Sequence, residues 1–291
     1  MPPVWTIYLL AAIPVNTVFP VNALPAFSGR IWAGMALAFF LAGAGYIFNQ
    51  VFDIESDRVN DKLFFLPRRM LSVRSAVVQY ALFTTIAVGG GWFLGPVWLI
   101  CLCAALLAVL YSLPLVRLKD RPFAGLLANA VGHGTLVYYF GRMIVEPGSL
   151  PAGGESAAYA LAVAGVYLLT TVPDRAGDEA AGKRTMSVTQ GPRKTVAIAA
   201  VCVLGAAVAA AIYQQWPLAI SAAISFPLFL MAVFSARFCG SAIRMALLAL
   251  SFFACLAFWP YFLILVLLYV STRWYYRRRF GIAYPRMTAG G

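Results

Sequence analysis

Seven of the ten carboxylates in this 291-residue chain fall in two short stretches. Asp53, Glu55, Asp57 and Asp61 follow Asn49-Gln50-Val51-Phe52, and Asp174, Asp178 and Glu179 follow Pro173. Asn49, Asp53 and Asp57 are spaced i, i+4, i+8, and Asp174 and Asp178 repeat the i, i+4 step, so on a helix each set shares one face. Carboxylates stacked this way repel, mildly on an exposed helix and more in a low dielectric. Something cationic must compensate. Arg58 and Arg175 stand next to the acids and could build an ion-pair network. The other choice is a divalent ion. Hard oxygen ligands suit Mg²⁺, which takes one or two carboxylates and completes its shell with water and substrate phosphates. Two such pairs facing each other would make a paired Mg²⁺ site for a diphosphate.

Diphosphate chemistry also needs fixed cations. Tyr111-Ser112-Leu113-Pro114 leads into Arg117 and Lys119, and Lys183-Arg184 follow the second acidic pair. Arginine suits bidentate phosphate contact, and lysine acts as a point charge. His133, the single histidine, sits between Gly132 and Gly134. It is read either as a general base or acceptor anchor, or as a hydrogen-bonded structural residue. Asn129, one turn earlier, has the same two readings, substrate contact or scaffold. The two glycines read as close-packing positions. Cys101, Cys103, Cys202, Cys239 and Cys255 form no Cys-x-x-Cys pair, and read as small apolar residues without a redox or zinc role.

The elements that position these groups must be membrane helices. The chain is 62% hydrophobic and 11% charged, with a mean hydropathy of +0.83, whereas a soluble domain is about a quarter charged. At roughly 20 residues per crossing, apolar runs bounded by charge or by Gly/Pro give about nine spans: 4–24, 31–51, 75–94, 96–115, 122–144, 156–173, 195–214, 217–236 and 243–272. The expected fold class is all-α, a polytopic transmembrane bundle around a central cavity, forming one domain over residues 1–291. Asn16 and Asn22 in the first span would face the bundle or bond a neighbouring helix near the interface. The net charge of +12 belongs to basic loops rather than to nucleic-acid binding. Loops after the second, fourth, sixth and eighth spans carry fifteen Lys and Arg, and the alternate loops hold two, Arg30 and Arg142. That asymmetry puts the first set, and both acidic stretches, on the cytoplasmic side. Arg273, Arg277, Arg278, Arg279 and Arg286 disagree, since nine spans leave them outside. Either the tail tolerates that, or the region 243–272, broken by Pro260, is not one simple crossing.

At these residues the chain resembles the UbiA superfamily of intramembrane prenyltransferases. The family pattern has an Asn followed by two Asp at four-residue steps after the second helix. A Tyr-Ser-x-Pro…Lys stretch then follows the fourth helix, and an Asp-x-x-x-Asp run continuing Gly-Lys-x-Thr follows the sixth. Here they are Asn49/Asp53/Asp57, Tyr111/Ser112/Pro114/Lys119, and Asp174/Asp178 with Gly182-Lys183-Arg184-Thr185. Leu66-Pro67 with Ser72 looks most like the branch that prenylates homogentisate-type aromatics. Two departures stand out: Gln50 follows Asn49 where many members have Asp, and Phe64-Phe65 replaces an Arg-Pro, leaving Arg68 or Arg69 as substitutes.

The resemblance implies that Asp53, Asp57, Asp174 and Asp178 hold two Mg²⁺ on the diphosphate of a prenyl donor, with Asn49 orienting it. Lys119, Arg58, Lys183 and Arg184 would neutralise the leaving group, and Tyr111, Asn129 and Tyr138 would contact substrate. Loss of diphosphate leaves an allylic carbocation that needs a dry pocket with aromatic faces, for which Tyr138, Tyr139, Phe140 and Tyr167 are lining residues. The cation would alkylate an aromatic or other lipophilic acceptor. The alternative within the family is a terpene cyclase that folds a C15 or C20 cation back on itself without an acceptor. A transporter or lipid-binding bundle fits less well, because transporter acids sit near the midplane on broken helices in repeated halves, and these lie at span ends.

Overall fold

A computed structural model describes residues 2–13, 28–59, 65–148, 153–282 and 284. Among them the chain is helical throughout, with no strand. The helices are α1 (Pro2–Ala12), α2 (Gly29–Phe52), α3 (Ile54–Val59), α4 (Val73–Trp92), α5 (Val97–Ser112), α6 (Pro122–Asn129), α7 (Leu136–Val145), α8 (Gly153–Thr170), α9 (Arg175–Ala180), α10 (Met186–Gln190), α11 (Pro192–Ile212), α12 (Trp216–Phe234), α13 (Cys239–Ala257) and α14 (Pro260–Phe280). Four helical stretches are long and apolar enough to cross a membrane by length and composition: Gly29–Phe52, Pro192–Ile212, Trp216–Phe234 and Ala236–Ala257.

Local sequence explains where the elements start and stop. Ser28 and Ser72 cap α2 and α4, each hydroxyl accepting from a backbone N–H of the first turn; this satisfies donors that have no partner inside the helix. Pro122 and Pro192 stand in the first turn of α6 and α11, where the missing N–H costs nothing. Between α6 and α7 the rod is not α-helical: Ala130–Thr135 forms a π-helical turn.

The helices close a ring. α2 packs on α4 and α5, α5 reaches α7, the π turn and α7 meet α8, and α8, α11, α12 and α13 follow in order. α1 then bridges α13 to α7. Two glycines set the tightest approaches. A Cβ on Gly134 would lie 2.5 Å from Ala160 Cα on α8, and one on Gly141 would lie 2.5 Å from the Tyr8 carbonyl oxygen. Small residues at helix contacts let backbones approach in a medium that gives no hydrophobic drive between helices. Large apolar side chains such as Val78, Leu82, Val201, Leu248 and Phe252 point outward, as a lipid-facing surface requires.

The first span is described only to Ile13, so Asn16 and Asn22 lie outside the described residues. The region 243–272 is two helices, broken at Phe258 and Trp259 ahead of Pro260. The Phe258 ring packs 5.3 Å from Trp32, at the start of α2. Tyr276 and Phe280, at the far end of α14, pack 6.2 and 5.6 Å from Phe65, in the connection after α3. α14 therefore runs back across the bundle to the face that carries the acids.

Candidate active site

Asp53 is the centre of the polar cluster. It caps the C-terminus of α2 with φ −105° and ψ 7°, so the run Asn49–Asp57 does not lie on one unbroken helix as its spacing suggested. The i, i+4 register survives the break, because the Asp57 N–H still donates to the Asp53 carbonyl at 2.8 Å. Asn49 Nδ2 donates to Asp53 Oδ2 at 2.9 Å. Asn49 Oδ1 in turn accepts from Ser112 Oγ at 3.1 Å and from Lys119 Nζ at 2.9 Å.

Two lysines complete it. Lys119 stands on a 3-10 turn, Leu118–Asp120, just past α5, and its Nζ is 2.9 Å from Asp53 Oδ1. Lys183 Nζ is 3.2 Å from the same oxygen and 3.8 Å from Asp178 Oδ1, so one ammonium joins both acidic stretches. The backbone fixes this meeting: Lys183 N donates to the Asp178 carbonyl at 2.8 Å, and Arg184 N to the Asp120 carbonyl at 3.1 Å. Asp53, Asp57, Lys119 and Asp178 are all buried. Burial pushes the Asp53 carboxyl up, but the Lys119 and Lys183 ammoniums outweigh it and hold it below its ordinary value. Burial pulls the Lys119 ammonium down, and the Asp53 carboxylate offsets only part of that.

The remaining sequence candidates separate. Asp174 stands at the start of α9 and is half-buried, its carbonyl accepting from Asp178 N at 2.9 Å. Arg58 is exposed and pairs with Glu55 at 2.9 Å, and Arg184 is exposed; neither side chain is brought into the cluster. Arg68 and Arg69 are exposed as well. Tyr138 lies in the apolar core, its hydroxyl donating to Glu155 and its ring 5.0 Å from Tyr159. It lines neither cavity described next, so its sequence-based placement as a substrate contact does not match its surroundings.

Beneath the cluster lies a cavity of about 230 Å³ between α2, α5 and the α6–α7 rod. Ala38, Ala42, Gly45, Tyr46 and Asn49 supply one wall at helical spacing, and Ala104, Leu107, Ala108 and Tyr111 supply another. Asn49 is thus both cavity wall and Asp53 partner. Asn129 borders the cavity and donates to the Tyr111 hydroxyl at 3.1 Å. A second cavity of about 420 Å³ lies between α8, α12 and α13 and includes Tyr167. Tyr46 and the small residues of α2 and α5 were not singled out from the sequence. Their signal was available, since they repeat every three or four residues on the Asn49 and Tyr111 faces.

An apolar chamber closed at one end by acids and lysines suits a lipid-like molecule with a diphosphate head, and comparison with known proteins agrees. A digeranylgeranylglyceryl phosphate synthase from Halobacterium salinarum is 38% identical over 208 residues, covering 65% of this chain and 73% of that protein. A UbiA homologue from Archaeoglobus fulgidus, solved with GPP and Mg²⁺, superposes with a TM-score of 0.65 at 19% identity, over 88% of this chain and 96% of the other. An apo UbiA homologue from Aeropyrum pernix K1 gives a TM-score of 0.66 at 16% identity, over 88% and 95%. The UbiA prenyltransferase family profile matches residues 2–244. That match spans far more than half of the chain, which therefore belongs to the UbiA prenyltransferase family and is a membrane-embedded transferase of that type.

Proposed function

We propose that this enzyme moves a prenyl group from a prenyl diphosphate to the hydroxyl of a prenylated glyceryl phosphate, with Mg²⁺ at the acid-lined end. The observation that carries the reading is the Asp53–Lys119–Lys183–Asp178 cluster seated on Asn49 at the rim of an apolar cavity. The relatives' name, a synthase whose product carries two geranylgeranyl chains on glyceryl phosphate, supports that acceptor over an aromatic one.

The donor set fits magnesium. Asp53, Asp57, Asp174 and Asp178 offer hard carboxylate oxygens, and Asn49 adds an amide. Mg²⁺ typically takes only one or two carboxylates and shares the rest of its shell with phosphates and water. When bound, Mg²⁺ would neutralise charge on the departing diphosphate. The chain's own part is positional. Lys119 and Lys183 present fixed ammoniums to the phosphate oxygens, Asn49 holds the Asp53 carboxylate in one rotamer, and Ser112 holds Asn49. The apolar walls keep water from the cation, and Tyr46 and Phe140 offer it ring faces. The excess of Lys and Arg in the loops on this face supports a cytoplasmic active site.

The test is a donor panel of C10, C15 and C20 diphosphates with purified protein, with and without a monoprenyl glyceryl phosphate and with and without EDTA, read by mass spectrometry. The expected result is diphosphate release that EDTA abolishes, and an adduct formed only with the acceptor. A cyclic hydrocarbon from donor alone, an adduct only with aromatic acids, or EDTA-resistant turnover would each overturn the reading.

A further inference from the structure

The two cavities adjoin each other. Val4, Tyr46, Asn129 and His133 line both. Only the first reaches Asn49 and Tyr111 beside the acid–lysine cluster, so only it continues a diphosphate held there into an apolar space.

The second chamber looks polar by composition, with Thr6, Thr170, Ser221 and Ser225 on its walls. Each of these hydroxyls donates to a carbonyl of its own helix: Thr6 to Pro2, Thr170 to Tyr167, Ser221 to Pro217 and Ser225 to Ala222. The chamber therefore presents carbon and suits a hydrocarbon chain.

The shared wall has a different character. His133 sits on the π turn; such turns insert a residue into the helical ladder and concentrate at functional sites. Gly134, the next residue, is pressed against the α8 backbone, which fixes the chain beside the His133 ring. Tyr46 lies beside that ring, with centroids 6.1 Å apart. The Asn129 amide is already engaged with Tyr111 and with the Gly125 carbonyl. His133 Nδ1 is buried and has no hydrogen-bond partner among the described residues. An unsatisfied buried donor or acceptor calls for an explanation, and here it lies where the contents of two chambers would meet.

Resting on the function proposed above, we infer that the second chamber binds the chain of the acceptor and that His133 is a catalytic residue, accepting the proton of the acceptor hydroxyl as that oxygen attacks the allylic carbon. The bond between the allylic carbon and the diphosphate oxygen breaks, and its electron pair leaves with the diphosphate. A lone pair of the acceptor oxygen forms the new carbon–oxygen bond. The hydroxyl proton passes to a ring nitrogen of His133, and the imidazolium loses it to water after the products leave. A group in this place makes attack by the acceptor competitive with capture of the cation by water.

The experiment compares wild type, His133→Ala and His133→Gln with a C20 prenyl diphosphate and a monoprenyl glyceryl phosphate, counting diphosphate released, ether adduct and free prenyl alcohol. Glutamine keeps hydrogen bonding but cannot take the proton, so both variants should lose adduct at least about tenfold more than they lose diphosphate release, with prenyl alcohol making up the difference. An adduct-to-diphosphate ratio that stays at the wild-type value in either variant would overturn the role of His133. Ala162→Leu and Ala246→Leu, which narrow only the second chamber, should raise the acceptor KM several-fold while leaving the donor KM alone. The reverse pattern would overturn the assignment of the chambers. If wild type forms no adduct with this acceptor, the proposed function falls and takes this inference with it; if wild type forms it and the ratios do not move, only the inference falls.

Discussion

Lys119 touches both Asp53 and Asn49 with one ammonium. Lysine does this as a point charge, whereas the planar fork of arginine cannot occupy the same spot. Lys119→Arg should therefore behave nearly as badly as Lys119→Ala, each losing roughly 100-fold or more in turnover, with the donor KM affected more than the acceptor KM. An effect confined to the acceptor KM would place Lys119 elsewhere in the reaction. Asp53→Asn removes the carboxylate on which both lysines sit and leaves two ammoniums facing each other. A stability loss of about 3 kcal/mol and a turnover loss of at least about 100-fold are expected, with the protein still folded in detergent by thermal melting. Near-normal turnover in a folded Asp53→Asn would remove the metal site from the proposal. At this scale the sequence was readable where spacing carries chemistry: Asn49, Asp53, Lys119 and Asp178 meet as their motifs suggested. It misled where a residue type alone was the signal. Arg58 turns to its local partner Glu55, and Tyr138 to Glu155, because a nearby counter-charge or acceptor decides a side chain's direction and composition does not reveal it.

Helices decide how far those motifs can be trusted. Apolar runs read from hydropathy fall on helices of the structure, and four of those stretches are long and apolar enough to cross a membrane. Hydropathy could not show that α2 stops at Asp53 or that a π turn splits the α6–α7 rod, because a break of one residue hardly changes the apolar period. Glycine neighbours were partly legible. Gly134 packs on the Ala160 backbone, whereas a Cβ on Gly132 would meet only the tip of Leu107 at 3.2 Å, which can turn aside. Gly134→Ala should therefore destabilise the protein by about 1–3 kcal/mol through overpacking, and Gly132→Ala by clearly less. Thermal melting in the same detergent measures both, and equal shifts would mean that the approach of the π turn to α8 is not what Gly134 secures.

For the molecule as a whole, α14 bears on the one conflict in the charge pattern. Its 21 residues span about 31 Å at the α-helical rise, close to the roughly 30 Å hydrocarbon core. It starts beside Trp32, near the sparsely charged connections, and ends against Phe65, beside the basic ones. Arg277, Arg278 and Arg279 occupy its last turn, where long side chains can reach headgroups while their stems stay in the apolar layer. Were α14 a further crossing, Arg273, Arg277, Arg278 and Arg279 would lie on the same side as the basic loops, as the loop asymmetry expects. The sequence left this open, because Pro260 broke 243–272 and the arginines past it fell on the wrong side for a single crossing. The family profile ends at residue 244, before α14 begins. A fluorescent protein fused after Ile282 should fold and emit, and one fused after Gly148 should stay dark when export is through the unfolded route. An exported, dark C-terminal fusion would mean that α14 lies along the membrane surface, and the aromatic contact with Phe65 would then have to form outside the apolar layer.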